Sequence, residues 1–399
     1  MEWKEVRLCD VCSELSDGLH KAPKFIEKGE YIFVNAKNLY NGYILDNDPT
    51  KKTSHEEYLK YKKPLGKHTI LYSIDGTIGN IAKYRGEKCV LGKGACYLNC
   101  NPKIVVSSYL YYQLQSPHFK SYIHLMSTGS TIKHISLKTM REYVFELPSL
   151  TDQRRIASIL SSLDRKIELN NKINADLEEM AQAIFKNWFV DFEPFKDGKF
   201  VDSELGMIPE GWKVGRLKDL LYLRKDSIKA ANKGNLPYLP IDTIPMHCLV
   251  ATDFKSNDEA KSSLQTFEQN NIVVGAMRVY FHRVILAPCK GITRTTCFVL
   301  SVKNGNALAY SLMQCNQDEA ISFAEKTSKG STMPYAVWDG GYGEYKVVIP
   351  PSEVMKSFND LLSNFFSKMN KNAIENSRLS LLRDTLLPRL MSGEIEIPE

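Results

Sequence analysis

Two copies of one sequence pattern, about 202 residues apart, constrain the fold of this 399-residue chain more than any other feature. The segment Glu2–Val11 (EWKEVRLCDV) resembles Gly211–Leu220 (GWKVGRLKDL), and the tripeptide Gly129–Thr131 recurs as Gly330–Thr332. A near-constant offset between matching segments is typical of an internal duplication. We therefore interpret the chain as two copies of one structural unit.

Each copy is predicted to fold as a globular α+β domain followed by a long helix. This divides the chain into segments 1–150, 151–207, 208–350 and 351–399. Two stretches, Ser107–Ser116 and Ala307–Gln314, are predicted as short helices at equivalent places. Runs of apolar and β-branched residues predict the strands; they are YIFVNAKNLY, HTILYSI, ACYLNC and EYVFEL in the first copy and NIVVGAM, RVILAPC, TTCFVLSV and EYKVVIP in the second.

Apolar residues that recur at alternating steps of four and three predict a coiled-coil seam on each long helix. The first seam covers Ile156–Trp188, and the second covers Phe358–Leu390, with Arg383 as its one clear mismatch. Thr151 and Asp152 are predicted to cap the first helix. The two helices are expected to pair as a long antiparallel coiled coil with a globular domain at each end, related by a pseudo-two-fold axis.

Four asparagines interrupt the two seams at matching positions, namely Asn170 and Asn174 in the first helix and Asn372 and Asn376 in the second. A polar residue in such a seam costs stability but fixes the register of the pair. In an antiparallel pair the asparagines would face each other, and we predict that they set its register. An ordinary amphipathic helix that tolerates polar residues is the alternative.

The net charge of +6 is divided unevenly along the chain. Segments 1–150 and 208–350 carry +6 and +4, whereas segments 151–207 and 351–399 carry −3 and −1. Basic domains suit a phosphate-bearing partner, although charges of this size also occur in proteins that bind nothing. The chain has no apolar run long enough to span a bilayer and no signal-peptide pattern, which predicts a cytoplasmic protein.

Three framework regions resemble the specificity subunits of type I restriction–modification systems. They are the junction from Gly129 to Asn171, the central stretch from Leu177 to Leu220, and the terminal segment LSLLRDTLLPRLMSGEI from Leu379. The second junction, PPSEVMKSFND, departs from the LTDQRRIAS form of the first. Together these regions cover nearly all of the framework that such a specificity subunit is expected to have outside its variable segments.

The resemblance implies a fold and a function. Each globular domain would be a target-recognition domain that reads one half of a split, asymmetric site in double-stranded DNA, with the coiled coil setting the spacing. Two methyltransferase (modification) subunits and two restriction subunits would be recruited. S-adenosylmethionine, ATP and magnesium would belong to those partners, so this chain would bind no cofactor. The alternatives are a duplicated-domain nuclease and a stand-alone coiled-coil DNA-binding or interaction protein.

The sequence contains no recognisable catalytic motif. It lacks the glycine-rich nucleotide loops, the tetrapeptide expected of an amino-methyltransferase and a Pro-Asp nuclease pattern. Its eight histidines are dispersed, which predicts no metal site. The Cys9/Cys12 and Cys96/Cys100 pairs are interpreted as reduced, buried thiols rather than as zinc ligands.

Polar residues near glycine-containing loops are the candidates for DNA contact, because hydroxyl, amide and cationic side chains bind phosphates and base edges. A structural turn is the alternative for the two Gly-Ser-Thr loops. The candidates are Ser73, Asp75, Thr77, Ser130, Thr131, Lys133 and His134 in the first copy and Arg278, Tyr280, His282, Arg283, Lys290, Arg294, Thr296, Lys329, Ser331, Thr332 and Tyr335 in the second.

Aromatic residues cluster where the first long helix ends. Phe185, Trp188, Phe189 and Phe192 are predicted to form a partner interface if they are exposed. Packing of the helix end onto the following domain is the alternative.

Overall fold

A computed structural model describes residues 3–46, 50–129, 133–251 and 254–395. The chain divides into two compact units. Unit 1 comprises Met1–Asp164 with Leu382–Glu399, and unit 2 comprises Arg165–Leu381. Each long helix therefore begins in one unit and continues into the other along the chain.

Unit 1 contains short strands, four short helices and one end of each long helix. Its elements are β1 (Lys4–Arg7), β2 (Cys12–Asp17), β3 (Phe25–Ile26), β4 (Tyr31–Val34), β5 (Leu39–Tyr40), β6 (Tyr43–Ile44), β7 (Lys52–Thr53), α1 (His55–Tyr61), β8 (Thr69–Ser73), β9 (Ile81–Lys83), β10 (Cys89–Leu91), β11 (Ala95–Cys100), α2 (Ser107–Gln113), α3 (Pro117–Met126), α4 (Leu137–Glu142), β12 (Val144–Leu147) and the start of α5 (Leu150–Phe189).

The strands of unit 1 form two four-stranded sheets and two small ribbons. One sheet has the order β2-β11-β8-β9 and is antiparallel, and the other has the order β10-β4-β7-β3 with β10 and β4 parallel. The ribbons are β1-β12 and β5-β6. Apolar side chains of the first sheet, α2, α3 and both long helices share one core that contains Tyr72, Tyr109, Phe119, Ile156 and Leu390.

Unit 2 contains short strands, three short helices and the other parts of the two long helices. They are β13 (Phe200–Val201), β14 (Ile208–Pro209), β15 (Lys213–Arg216), α6 (Leu217–Leu220), β16 (Leu221–Leu223), β17 (Ser227–Ile228), β18 (Leu264–Phe267), β19 (Ile272–Gly275), β20 (Val284–Leu286), β21 (Gly291–Arg294), β22 (Cys297–Val302), α7 (Leu308–Cys315), α8 (Asp318–Lys326), β23 (Lys346–Ile349) and α9 (Ser352–Met391).

The internal repeat is visible in the sheet topology. The order β16-β22-β19-β20 in unit 2 reproduces β2-β11-β8-β9 in unit 1, and the ribbon β15-β23 reproduces β1-β12. The predicted α+β class is confirmed, as are the predicted strands and the two short helices α2 and α7. YIFVNAKNLY is the exception, because a 3-10 turn at Ala36–Asn38 divides it into β4 and β5. The four-segment division of the chain stays a prediction.

Both long helices have 40 residues, and Ser149 rather than Thr151 caps the first of them. The Ser149 hydroxyl accepts a hydrogen bond from the Asp152 backbone N–H (3.2 Å) and donates one to the Asp152 carboxylate (2.7 Å). This reciprocal pairing satisfies an N–H that would otherwise lack a partner at the helix start. The predicted capping by Thr151 is therefore wrong, and Asp152 is the partner of the cap.

In unit 2, α5 and α9 run antiparallel, as predicted, and the four asparagines lie between them. The Asn170 amide donates to the Asn376 oxygen (2.9 Å), and the Asn372 amide donates to the Asn174 oxygen (2.8 Å). These two bonds are equivalent under the repeat. All four side chains are buried, and the oxygens of Asn170 and Asn372 have no hydrogen-bond partner. The role of these asparagines in setting register stays a prediction.

In unit 1, Arg383 pairs with Asp164 across the two helices, which explains the mismatch in the second seam. The Arg383 Nη1 to Asp164 Oδ1 distance is 3.0 Å, and the Tyr112 hydroxyl donates to Asp164 Oδ2 at 2.6 Å. The equivalent positions in unit 2 are Phe366 and Ala181, which are both buried in its core. A polar contact in one unit thus replaces an apolar contact in the other.

Candidate nucleic-acid interface

In unit 1, two loops lie side by side beyond the end of β8. Asp75 pairs with His134 as an isolated bridge, and the Gly76 N–H donates to the Lys133 carbonyl at 3.1 Å. A second bridge joins Thr128 to His134, which closes the loop that contains the first Gly-Ser-Thr. These backbone bonds hold the two loops together beside the end of β8, an inner strand of the sheet β2-β11-β8-β9.

Unit 2 has the same pair of loops beyond β19. Met277 pairs with Tyr335, and the Arg278 N–H donates to the Pro334 carbonyl at 2.7 Å. Lys329 also pairs with Tyr335, so the second Gly-Ser-Thr loop is closed in the same manner as the first. The structure therefore brings together candidates that are more than fifty positions apart in sequence.

The two loop pairs share a backbone but present different side chains. Gly76 and Arg278 occupy equivalent places and both have positive φ, 73° and 51°. A positive φ is uncommon for a residue with a side chain. At the same position of this turn, unit 2 therefore presents an arginine side chain and unit 1 has a glycine.

The candidates of unit 1 fall into three groups. Thr77 and Lys133 are exposed, and the half-buried His134 lies 3.9 Å from the Asp75 carboxylate. Ser73 is fully buried and donates to the Thr77 carbonyl at 2.6 Å, so its predicted DNA contact is wrong: its hydroxyl stabilises the turn. Ser130 and Thr131 lie outside the described residues.

Most candidates on the loop pair of unit 2 are exposed. They are Arg278, Tyr280, Lys329, Ser331, Thr332 and Tyr335. A neighbouring cavity of about 460 Å³ is lined in part by Lys225, Thr295 and Thr296, together with Lys329 and Tyr335. Lys225 and Thr295 were missed from the sequence, because they lie on other segments and carry no motif.

Three of the four remaining candidates of unit 2, namely Arg283, Lys290 and His282, are held by other contacts. Arg283 donates to the backbone carbonyls of Ile241 and Ile244, the latter at 2.6 Å, and this stabilises a neighbouring turn. Lys290 pairs with Glu268 at 2.9 Å on the surface, and Arg294 is exposed. His282 is buried, so the prediction that it contacts DNA is wrong.

The aromatic residues at the end of α5 pack inside unit 2. Phe185 and Phe189 are buried, and the Phe189 ring lies 4.8 Å from the Phe358 ring in an edge-to-face arrangement. Trp188 and Phe192 are half-buried and pack against the same core. The predicted exposed interface is therefore wrong for Phe185 and Phe189. Their rings pack the end of α5 onto the following domain, which was the alternative prediction.

The cysteines are free thiols, and in the two predicted pairs Cys96 and Cys100 are buried whereas Cys9 and Cys12 are partly exposed. Cys12 lies opposite Cys100 in the β2–β11 pairing. Burial raises the pKa of the Cys96 and Cys100 thiols to about 12, which keeps them protonated at neutral pH. Zinc needs deprotonated thiolates, so this environment opposes metal binding by these residues.

Comparison with known proteins shows what this chain is similar to. The family described as "Type I restriction modification DNA specificity domain" matches residues 1–179. The specificity subunit of the type I restriction enzyme MjaIX from Methanocaldococcus jannaschii is 29% identical over 417 residues, an alignment that covers 100% of this chain and 94% of that protein. Residues 1–179 thus match the specificity-domain family, and the chain over its full length is similar to specificity subunits of type I restriction enzymes.

Two further comparisons show the same similarity. The HindI specificity subunit of Haemophilus influenzae is 22% identical over 473 aligned positions, which cover 99% of this chain and 100% of that protein. A crystal structure of a type I S subunit from M. genitalium has a TM-score of 0.59 at 17% identity and covers 98% of this chain and 96% of its own, which supports the fold. These relatives lend no support to the nuclease or to the stand-alone coiled-coil alternative.

Within the part of the chain that the structure describes, no helix combines the length and the apolar character that crossing a bilayer requires.

Proposed function

We propose that the chain is the specificity subunit of a type I restriction–modification system, that each of its two units reads one half of a bipartite, asymmetric DNA site, and that the chain itself performs no catalysis. The observation that carries the proposal is the duplicated loop pair. Units 1 and 2 hold their loops with equivalent backbone bonds but present different polar residues there. Two readers with one framework and different side chains suit two different half-sites.

The exposed side chains of the loop pairs have the chemistry that DNA contact requires. Arg278 and Lys329 add positive charge in unit 2, and Lys133 does so in unit 1. An arginine can also donate two hydrogen bonds to guanine in the major groove, whereas lysine binds phosphates chiefly through charge. Unit 2 is therefore expected to contact guanine through Arg278, for which unit 1 has no equivalent.

The paired helices are proposed to fix the spacing between the half-sites. Their asparagine contacts hold the two helices in one relative position, since a shift of either helix would break both equivalent hydrogen bonds. Lys166 adds a surface ion pair with Glu375 at 3.2 Å beside this set. The recruitment of two modification and two restriction subunits, which would supply S-adenosylmethionine, ATP and magnesium, belongs to the same proposal.

Salt-dependent DNA binding tests this function directly. We expect the purified chain, alone or with its modification subunit, to bind duplex DNA with an affinity that falls as salt rises. Each phosphate-contacting lysine that is removed should lower the slope of log affinity against log salt by about 1. Lys329→Ala should show this change, and Lys303→Ala should not, because Lys303 is also exposed but follows the end of β22 that is opposite to the loop pair.

Two results would contradict the proposal. One is the absence of salt-sensitive binding both with and without the modification subunit. The other is a Lys303→Ala variant that weakens binding as much as Lys329→Ala, which would assign the effect to net charge rather than to the loop pair.

A further inference from the structure

Unit 2 gathers two histidines and an aspartate that are far apart in sequence. One ligand atom from each of His247, His282 and Asp318 lies within 4.8 Å of the others, the one such cluster found among the described residues. The His282 Nδ1 to Asp318 Oδ1 distance is 3.1 Å, and the centroids of the two imidazole rings are 4.5 Å apart. The cluster lines a cavity of about 750 Å³ at the start of α8.

The hydrogen bonds of His282 determine its tautomer, and therefore which ring nitrogen has a lone pair available for a metal. Its Nε2 lies 3.1 Å from the Asn316 carbonyl oxygen and 3.0 Å from the Asn316 side-chain oxygen. Both neighbours are acceptors, so Nε2 carries the proton and donates. The Nδ1 of a neutral His282 then directs its lone pair at the Asp318 carboxylate, an arrangement that a shared cation stabilises.

Among the residues that the structure describes, the cluster occurs in only one of the two repeats. Gly79 of unit 1 occupies the place of His282, and Pro117 occupies the place of Asp318 at the first position of the equivalent helix. His282 has φ of 49°, which is positive like that of Gly79, and His247 also has φ of 49°. Histidines therefore hold two left-handed positions, a conformation that costs a residue with a side chain more than glycine.

We propose that His247, His282 and Asp318 bind a divalent transition-metal ion, with zinc as the best match. Two imidazole nitrogens and one carboxylate oxygen are a ligand set that zinc accepts, with a fourth position open to water. Two ligands that each lie about 2.0–2.2 Å from one zinc ion are separated by roughly the distance found between His282 and Asp318. Asn316 would then be the partner that orients the His282 ring.

The metal would link three segments of unit 2, which carry His247, His282 and Asp318. The second of these segments continues the loop that contains Arg278 and Tyr280. The His247 N–H already donates to the His282 carbonyl at 2.9 Å, and His282 directly follows the turn that carries Tyr280. Asp318 begins α8. Binding of zinc would therefore fix the base of the loop on which Arg278 and Tyr280 are exposed.

Calorimetric titration of the chelator-treated full chain with zinc chloride tests the site. We expect one saturable site, and cobalt(II) in place of zinc should give the visible absorption of a four-coordinate complex. Asp318→Asn and His247→Ala should each weaken zinc binding by at least about tenfold, since loss even of outer-shell partners costs that much. Asp318 is 84% exposed, so its substitution leaves the core intact.

His20→Gln is the matched control, because His20 pairs with Asp17 at 2.9 Å in unit 1 without a second histidine. That variant should bind zinc as the unaltered chain does. The proposal is overturned if the chain shows no saturable zinc binding, if Asp318→Asn and His247→Ala bind as tightly as the unaltered chain, or if His20→Gln weakens binding as much as they do.

Discussion

Units 1 and 2 share the sheet that supports their loop pairs and the ribbon β1-β12 or β15-β23, but they differ in their second sheets. The orders β2-β11-β8-β9 and β16-β22-β19-β20 are the same, and both continue into a 40-residue helix. The second sheets differ, because β10 and β4 of unit 1 are parallel whereas β17, β18 and β21 of unit 2 are antiparallel. The shared sheet thus serves as a framework, and the surrounding segments can change with the sequence to be read.

The ends of the long helices also share a backbone arrangement but differ in the side chains that they bury. Unit 2 closes its core with the rings of Phe185, Phe189 and Phe358. Unit 1 uses Ile156, Leu160 and Leu387 for this purpose and adds the polar pair of Asp164 with Arg383. Variants at equivalent positions can therefore separate what the repeat requires from what each unit has adapted.

Truncation of the buried helix residues should have the largest effect, confined to one unit at a time. Phe358→Ala should destabilise unit 2 by about 3–5 kcal/mol, and the equivalent Ile156→Ala should destabilise unit 1 by about 2–5 kcal/mol, because both side chains are fully buried. Hydrogen exchange followed by mass spectrometry reports each unit separately. Equal loss of protection in both units from either variant would show that they do not fold as separate units.

Loss of the acceptor in the polar pair should have an intermediate effect, and only in unit 1. Asp164→Ala leaves the Tyr112 hydroxyl and the Arg383 guanidinium without this partner, so we expect a loss of about 1–3 kcal/mol in denaturant unfolding. Asp384→Ala is the control, because that carboxylate also pairs with Arg383 but is 62% exposed. It should cost less than about 1 kcal/mol. Equal costs for the two variants would contradict the special role of Asp164.

Replacement of a central asparagine should change stability least. Asn170→Leu, or Asn372→Leu at the equivalent place, should leave the free energy of unfolding unchanged or raise it by about 1 kcal/mol. Each variant removes a buried oxygen that lacks a partner and adds apolar contact, which offsets the loss of the donor to Asn376 or Asn174. The register of the helices should loosen, so the spacer of the methylated DNA site should become variable. A single unchanged spacer in both variants would argue against a register role.

The long helices and the shared sheet could be predicted from the sequence, because their apolar periodicity and their repetition are patterns of neighbouring residues. The seams, the strands of the shared sheet and the short helices α2 and α7 all carry such patterns. The cluster of His247, His282 and Asp318 carries none, since its members come from three separate segments that only the tertiary fold unites.

Burial is also hard to predict where aromatic residues lie at a domain boundary. The sequence of Phe185 and Phe189 suits an exposed interface as well as a core, and only the neighbouring Phe358 decides between them. Ser73 is a similar case, because its hydroxyl serves the turn beside it rather than a ligand. Such residues depend on contacts with distant segments, which a single sequence does not specify.

A map of methylated adenines across the genome, made for strains with altered loop pairs, tests the central claim most directly. We expect Arg278→Ala with Lys329→Ala to relax or abolish recognition of one half of the methylated motif, and Thr77→Ala with Lys133→Ala to affect only the other half. Lys303→Ala should leave both halves unchanged. Two outcomes would contradict the assignment of one half-site to each unit: a loop variant that alters both halves alike, or loop variants that leave the motif intact.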